Sequence, residues 1–334
     1  MKQNKIIMII AIILFIIVLF YLFLWLISRK EYNVEYGISY NQYQAESLEL
    51  DWQKVYIDML ESLEPEYVRI AAMWSEIEPE RGYYDFSKVD WMMDKAAEND
   101  TKITLVLGQK APRWPECHVP DWVENLNEEQ YRTRLLSYIA KVVERYKNHP
   151  ALELWQVENE PFIKFRFGEC DNYREDLVYD EIDLVKLLDG NKKILITDSG
   201  ELSTWRQAIN AGDIFGTTLY RVVRAYKGVV FSYNWLPPSV YRLKAQLYDK
   251  DMDNVIVSEL QAEPWFTNGG ALHTPIEEQE KTMNTERLIK HFRYVERIGV
   301  PRAYLWGVEW WYWMKEKQEN NFYWDYVKMK LKSS

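Results

Sequence analysis

Eight short runs of β-branched and leucine-rich residues recur along this chain, each parted from the next by a longer stretch with apolar residues three and four apart. The runs fall at 34–38, 67–71, 102–107, 152–157, 193–197, 214–220, 254–259 and 302–306. They are apolar throughout rather than alternating, as expected of parallel strands covered on their outer face. The stretches between them predict helices over 51–63, 87–99, 128–148, 173–188, 238–250 and 277–298, with a shorter and weaker pattern over 201–210. Asp51 and Ser87 stand where N-caps would be, and Gly299 follows the last long helix just before Pro301. Eight strand–helix units without a Pro/Gly/Ser-rich linker predict one (β/α)8 barrel over 31–334. A doubly wound open sheet is the competing fold. It usually carries a glycine-rich phosphate turn after its first strand, and Gly37-Ile38-Ser39-Tyr40 is not one.

Residues 1–30 differ from the rest. From 6 to 27 there is no charge and almost no polar atom. Such a run makes about 33 Å of helix, enough to cross a hydrocarbon layer of about 30 Å. It is long for a signal peptide and lacks a small-x-small cleavage site, so a retained single-pass membrane anchor is expected. Lys2 and Lys5 precede the run and Arg29 and Lys30 follow it, a small bias toward a cytoplasmic N-terminus and an extracytoplasmic barrel. Four of the chain's 41 cations lie in residues 1–30 and none of its 51 anions, which leaves the remainder at a formal −14. That argues against a nucleic-acid partner. The four histidines are scattered and no Cys/His cluster has metal-ligand spacing, so no metal or cofactor is expected.

Functional residues of such a barrel stand at the C-terminal ends of its strands. The fourth strand exits through Glu158-Asn159-Glu160-Pro161 and the seventh through Ser258-Glu259. Arg69 ends the second strand, Tyr220 the sixth and Trp306 the eighth. In this set the chain resembles clan A of the glycoside hydrolases, which includes β-galactosidases, β-xylosidases, xylanases, mannanases and cellulases. The resemblance covers residues 34–330. It implies a retaining enzyme, whose two carboxyls would stand about 5–5.5 Å apart. Glu160 would be the acid/base and Glu259 the nucleophile. Asn159 would bond the sugar 2-hydroxyl, Arg69 and Tyr220 would hold Glu259, and Trp306 would form a floor under the sugar.

Glu158 and Glu263 flank this pair and are expected not to be catalytic. Strand alternation would put Glu158 on the same side as Glu160, so that it stands behind the site or faces a helix. Among 15 tryptophans, Trp114 and Trp265 are the best candidates, with Trp306, to stack on sugar rings, and Gln109 and Lys110 to bond hydroxyls. Clan members often carry His or Trp after the third strand, so the sugar stays open. The modest loops favour an open cleft. Cys117 and Cys170 lie in segments expected on the same barrel face; they are either a disulfide or two unrelated thiols. A membrane-tethered, non-catalytic carbohydrate-binding barrel and a transglycosylase using the same glutamates are the alternatives.

Overall fold

A computed structural model of the chain describes residues 2–164, 168–170, 173–224, 228–267 and 269–333. Eight parallel strands close into a barrel: Glu35–Ser39, Tyr67–Ala71, Lys102–Leu107, Leu152–Val157, Lys193–Asp198, Ile214–Leu219, Val255–Gln261 and Arg302–Trp306, here barrel strands one to eight. Each pairs with its sequence neighbours, and strand one closes on strand eight. This is the (β/α)8 barrel expected from the sequence. Strands two, three, four and eight keep the anticipated bounds, and the others differ by one or two residues.

The main apolar core lies between the strands and the surrounding helices. Inside the barrel, Tyr67, Leu195, Ile256 and Tyr304 fill the lower end. Tyr304 reaches across to Thr104, hydroxyl to hydroxyl, at 2.8 Å. Strand one carries Gly37 beside that ring because a Cβ there would sit 2.8 Å from it. Below, Arg302 lies over the Tyr67 ring and pairs with Glu153. The strand starts are therefore sealed, and the polar interior is left at the strand exits.

Three helical expectations are corrected. The stretch over 277–298 is two helices, Ile276–Glu280 and Thr285–Val295. Asn284 restarts the second by accepting the Arg287 amide at 3.0 Å, while Thr282 turns inward to accept the Trp265 amide. The periodicity persists through the break because Met283 stays buried. The fifth crossover, 201–210, is a series of turns around the buried Trp205. Ser87 is the first helical residue rather than the cap; Asp85 accepts its amide at 2.8 Å. Asp51 does cap its helix, taking the amides of Gln53 and Lys54.

One strand irregularity matters for the site. Strand six pairs Thr217 with Val257 but Thr218 with Glu259, and strand eight pairs Ala303 with Val257 but Leu305 with Leu260. Both neighbours thus count one extra residue in strand seven just before its exit, a β-bulge at Ser258-Glu259.

The N-terminal helix, Lys2–Ile27, is apolar over Asn4–Ile27, long enough to span a membrane or to serve as a signal sequence. Its last turns touch the barrel. Tyr21 Oη donates to Trp235 O at 2.6 Å, Ser239 Oγ to Leu24 O at 2.8 Å, and Arg242 Nη2 to Ile27 O at 3.1 Å.

Candidate active site

Arg69 organises the strand exits. It is a polar residue in an otherwise apolar strand, and it projects into the interior one layer above Tyr67. Its Nε donates to Gln156 Oε1 at 2.7 Å, Nη2 to Asn159 Oδ1 at 2.8 Å, and Nη1 to Glu259 Oε1 at 3.0 Å and Ser258 O at 3.3 Å. The last contact exists because the bulge turns a strand carbonyl inward. The second oxygen of Glu259 accepts from Tyr220 Oη at 2.8 Å. Both Arg69 and Glu259 are buried, so the pair is strongly coupled and little screened.

Glu160 lies past the end of strand four, partly exposed, with φ 46°. Its amide donates to Thr197 Oγ1 at 2.9 Å, and its carboxyl accepts from Thr218 Oγ1 at 3.2 Å. Enclosure in protein and then the negative Glu259 push its carboxyl well above the usual range, with Lys110 opposing. The two glutamates therefore sit in contrasting settings: Glu259 is met by a guanidinium and a phenol, Glu160 by a hydroxyl.

Glu158 faces the helix outside, one of the two places expected of it, although strand alternation is not the reason. It also has a left-handed backbone (φ 61°), so the chain leaves strand geometry before it and alternation no longer applies. Its carboxylate accepts the amides of Gln109 and Lys110, at 2.7 and 2.6 Å, and meets Glu181 of the helix outside. Gly108 makes room, since a Cβ there would lie 2.5 Å from that carboxyl. Gln109 is corrected. The side chain is fully buried among Tyr131, Glu158, Glu181 and Arg174, turned away from the exits. Lys110 does reach the site, donating to Glu160 O at 3.3 Å and lying over the Tyr173 ring.

Among the tryptophans, Trp306 is nearly buried, with the Arg113 guanidinium 4.0 Å from its ring centre. Trp265 meets Tyr220 edge-on at 5.5 Å. Trp114 is largely exposed. Arg113 is itself held by Glu263 and Glu309, and Glu309 accepts the Asn41 amide at 2.6 Å. Glu263 thus serves a buried ion cluster behind Trp306. Cys117 and Cys170 are bonded, Cα atoms 5.2 Å apart, tying the loop after strand three to the loop after strand four. Part of that second loop, 165–167 and 171–172, lies outside the described residues.

Several site residues escaped sequence reading. Gln156 and Thr218 are polar residues inside apolar strands, a signal in the sequence by which they could have been found. Glu116 could not, because it sits in an irregular loop. It bonds the Asn159 side chain, and desolvation carries its carboxyl up to about 7 against the pull of Lys110. Ser39, at the exit of strand one, has a buried hydroxyl without a hydrogen-bond partner among the described residues, beside a small cavity shared with Arg69 and Trp306.

An eight-stranded barrel with paired glutamates at its fourth and seventh exits is the architecture that clan A implied. Residues 40–177 match the family model described as beta-galactosidase. A β-galactosidase of Heyndrickxia coagulans is 29% identical over 165 residues, covering 44% of this chain and 24% of that protein. One from Clostridium perfringens is 27% identical over 155 residues, 40% of this chain and 22% of that protein. The chain thus matches about a quarter of the length of these relatives. Among solved structures, a β-galactosidase from Halorubrum lacusprofundi aligns with 82% of this chain and 52% of its own, at TM-score 0.54 and 16% identity. A xylanase from Thermoanaerobacterium saccharolyticum aligns with 85% and 88%, at TM-score 0.54 and 15% identity, a likeness of fold alone. The family model and the curated relatives support the resemblance to clan A, and the solved structures share its fold. The family match takes in Arg69, Asn159 and Glu160 but stops before Glu259.

Proposed function

We propose that the chain is a retaining β-glycosidase, with β-galactosides the first substrates to test. The observation that carries this reading is the unequal treatment of two glutamates at the exits of strands four and seven. Glu259, fixed by Arg69 and Tyr220, is oriented to act as a carboxylate. Glu160, raised by enclosure and by Glu259, is suited to hold a proton near neutrality.

In the first step Glu160 gives its proton to the glycosidic oxygen as the bond from C1 breaks, and a Glu259 oxygen bonds C1 from the opposite face. In the second, Glu160 takes a proton from water, whose oxygen displaces Glu259 and restores both groups. Asn159 would bond the 2-hydroxyl through the amide that now faces Glu116, and Ser39 and Lys110 would serve other hydroxyls. Trp306 would be the floor of the sugar site, steadied by Arg113, with Trp265 and Trp114 along the cleft. The helix Lys2–Ile27 would anchor residues 31–334 to a membrane, with the barrel outside the cytoplasm, where the Cys117–Cys170 bond would persist.

The test is hydrolysis of aryl and alkyl β-glycosides by the full chain in detergent, with Glu259→Ala and added azide. Activity lost in the variant and returned as a glycosyl azide of inverted configuration is the expected result. A folded protein that binds glycans and cleaves none would replace the enzyme with a binding barrel. Products carrying the sugar on an added acceptor would mark a transglycosylase.

A further inference from the structure

The N-terminal helix has a direction relative to the barrel. Barrel helices run from strand exits back to strand starts, and Ser239–Gln246, after strand six, is one of them. The N-terminal helix descends alongside it in the same sense. Tyr21 meets Trp235, just before that helix; Leu24 and Ser28 meet Ser239, at its first turn; and Ile27 meets Arg242, one turn further on. The chain then reaches Tyr32, whose amide donates to Glu296 O at 2.8 Å, near the start of strand eight. Traced backwards from Tyr21, the helix therefore rises past the strand exits. Residues 4–20 add about 26 Å in that direction.

The surface beside this rising helix is apolar. The loop after strand six forms a hairpin of Val222–Arg224 and Val230–Ser232. It leaves Val229 62% and Phe231 44% exposed, and Trp235, bonded to Tyr21, 55% exposed. Exposed apolar residues on a hairpin, with Trp and Tyr at one level, are what a bilayer boundary selects.

Building on the anchor and glycosidase readings above, we propose that the mouth of the barrel faces the bilayer that Lys2–Ile27 enters, with Val229, Phe231 and Trp235 resting in its surface. Its substrate is a β-glycoside whose aglycone is a lipid of that same leaflet. The bond broken is from C1 to the lipid oxygen; Glu160 supplies the proton to the departing lipid alcohol, and water supplies the hydroxyl that C1 gains. A cleft so placed meets sugars held at the headgroup level, whereas a bulky free polymer would have to enter between barrel and membrane.

The experiment places an environment-sensitive nitrobenzoxadiazole label on single introduced cysteines of the full chain in phosphatidylcholine vesicles carrying nitroxide lipids. The variants are Ile16→Cys, Val229→Cys, Phe231→Cys and Leu187→Cys, the last an exposed residue at the strand-start end of the barrel. Quenching at 16, 229 and 231 but not at 187 is expected. Quenching at 16 alone, or at 16 and 187, keeps the anchor and overturns the facing mouth. No quenching at 16 removes the anchor and the proposal together.

For the substrate, hexadecyl β-galactoside in vesicles is compared with soluble methylumbelliferyl β-galactoside. Phe231→Asp with Val229→Asp should lower kcat/KM on the vesicle substrate about tenfold or more, the scale of losing one or two buried apolar side chains, and leave the soluble one unchanged. Equal loss on both, or preference of the unaltered protein for the soluble glycoside, overturns the lipid-borne substrate. Silence on both counts against the galactoside reading, and the quenching pattern still decides the orientation.

Discussion

The barrel interior holds two arginine–glutamate pairs, one at each end, and they are built differently. At the strand starts Arg302 gives both arms of its fork to Glu153, at 2.8 and 3.1 Å, and lies flat on Tyr67. Glu153 is the extra residue of a bulge in strand four. Glu153 spends both its oxygens on that one fork, at a partly exposed position, with Glu35 a further 3.7 Å neighbour of Arg302. At the strand exits Arg69 gives Glu259 one arm and distributes its other donors to Gln156, Asn159 and the Ser258 carbonyl. One guanidinium thereby fixes residues from strands two, four and seven in a single frame, and Glu259 keeps its second oxygen for Tyr220. The lower pair closes the barrel, whereas the upper one positions groups that have further work to do.

The comparison breaks most visibly at its carboxylates. Glu259→Ala should cut kcat by about 10⁴-fold or more, as removal of a covalent nucleophile does, whereas Glu153→Ala should leave turnover within about twofold. Comparable losses from both, measured as initial rates at saturating glycoside, would erase the functional distinction between the two ends.

Glu160→Gln sharpens it further. A loss of about 10²–10⁴-fold is expected for alkyl glycosides, the range of general acid–base catalysis, and a much smaller one for aryl glycosides whose leaving group needs little protonation. Equal losses on the two substrate types would remove Glu160 as proton donor.

Stability separates the arginines. Arg69→Met leaves a carboxylate buried without its ion partner and should cost about 3–5 kcal/mol in urea unfolding. Arg302→Met strands a more exposed glutamate and should cost about 1.5–3 kcal/mol, the scale of charge-assisted hydrogen bonds. An inverted order would show that the lower seal, not the upper frame, holds the barrel closed.

The smallest effect concerns pH. Glu116 and Glu309 both have carboxyls raised to about 7, chiefly by burial. The folded state therefore holds more protons than the unfolded one between about pH 4.5 and 7, so these groups lose stability as pH rises through that window. Melting temperature should fall across it in the parent and fall less steeply in Glu116→Gln, where Glu309 still contributes. A rise over the same window would reverse the sign assigned to these groups.

Much of the architecture was legible because strands buried on both faces must be apolar throughout. Arg69, Glu160 and Glu259 were legible because they stand at strand exits, where the resemblance to clan A expects them. Helix continuity was less so. The 277–298 stripe kept its period across a real break, because burial of Met283 and capping by Asn284 are indifferent to whether the helix runs on. Gln109 was misplaced because its position just after strand three does not say which way the side chain turns, and Glu158 because strand alternation does not extend beyond Val157. Left-handed backbone at Glu158 and Glu160 sends one outward and the other to the exits.

By itself the sequence determined the eight-fold alternation, the apolar N-terminal run, and which polar residues end which strands, since all three follow from local periodicity and composition. Only the tertiary structure decided that Ser258 bulges, that Glu116 joins Asn159, that Cys117 meets Cys170, and that the N-terminal helix rises on the side of the strand exits. Each of these is a meeting of segments far apart in the chain. The physical terms that fix such meetings, shared burial and mutual hydrogen-bond satisfaction, have no value until both partners are in place.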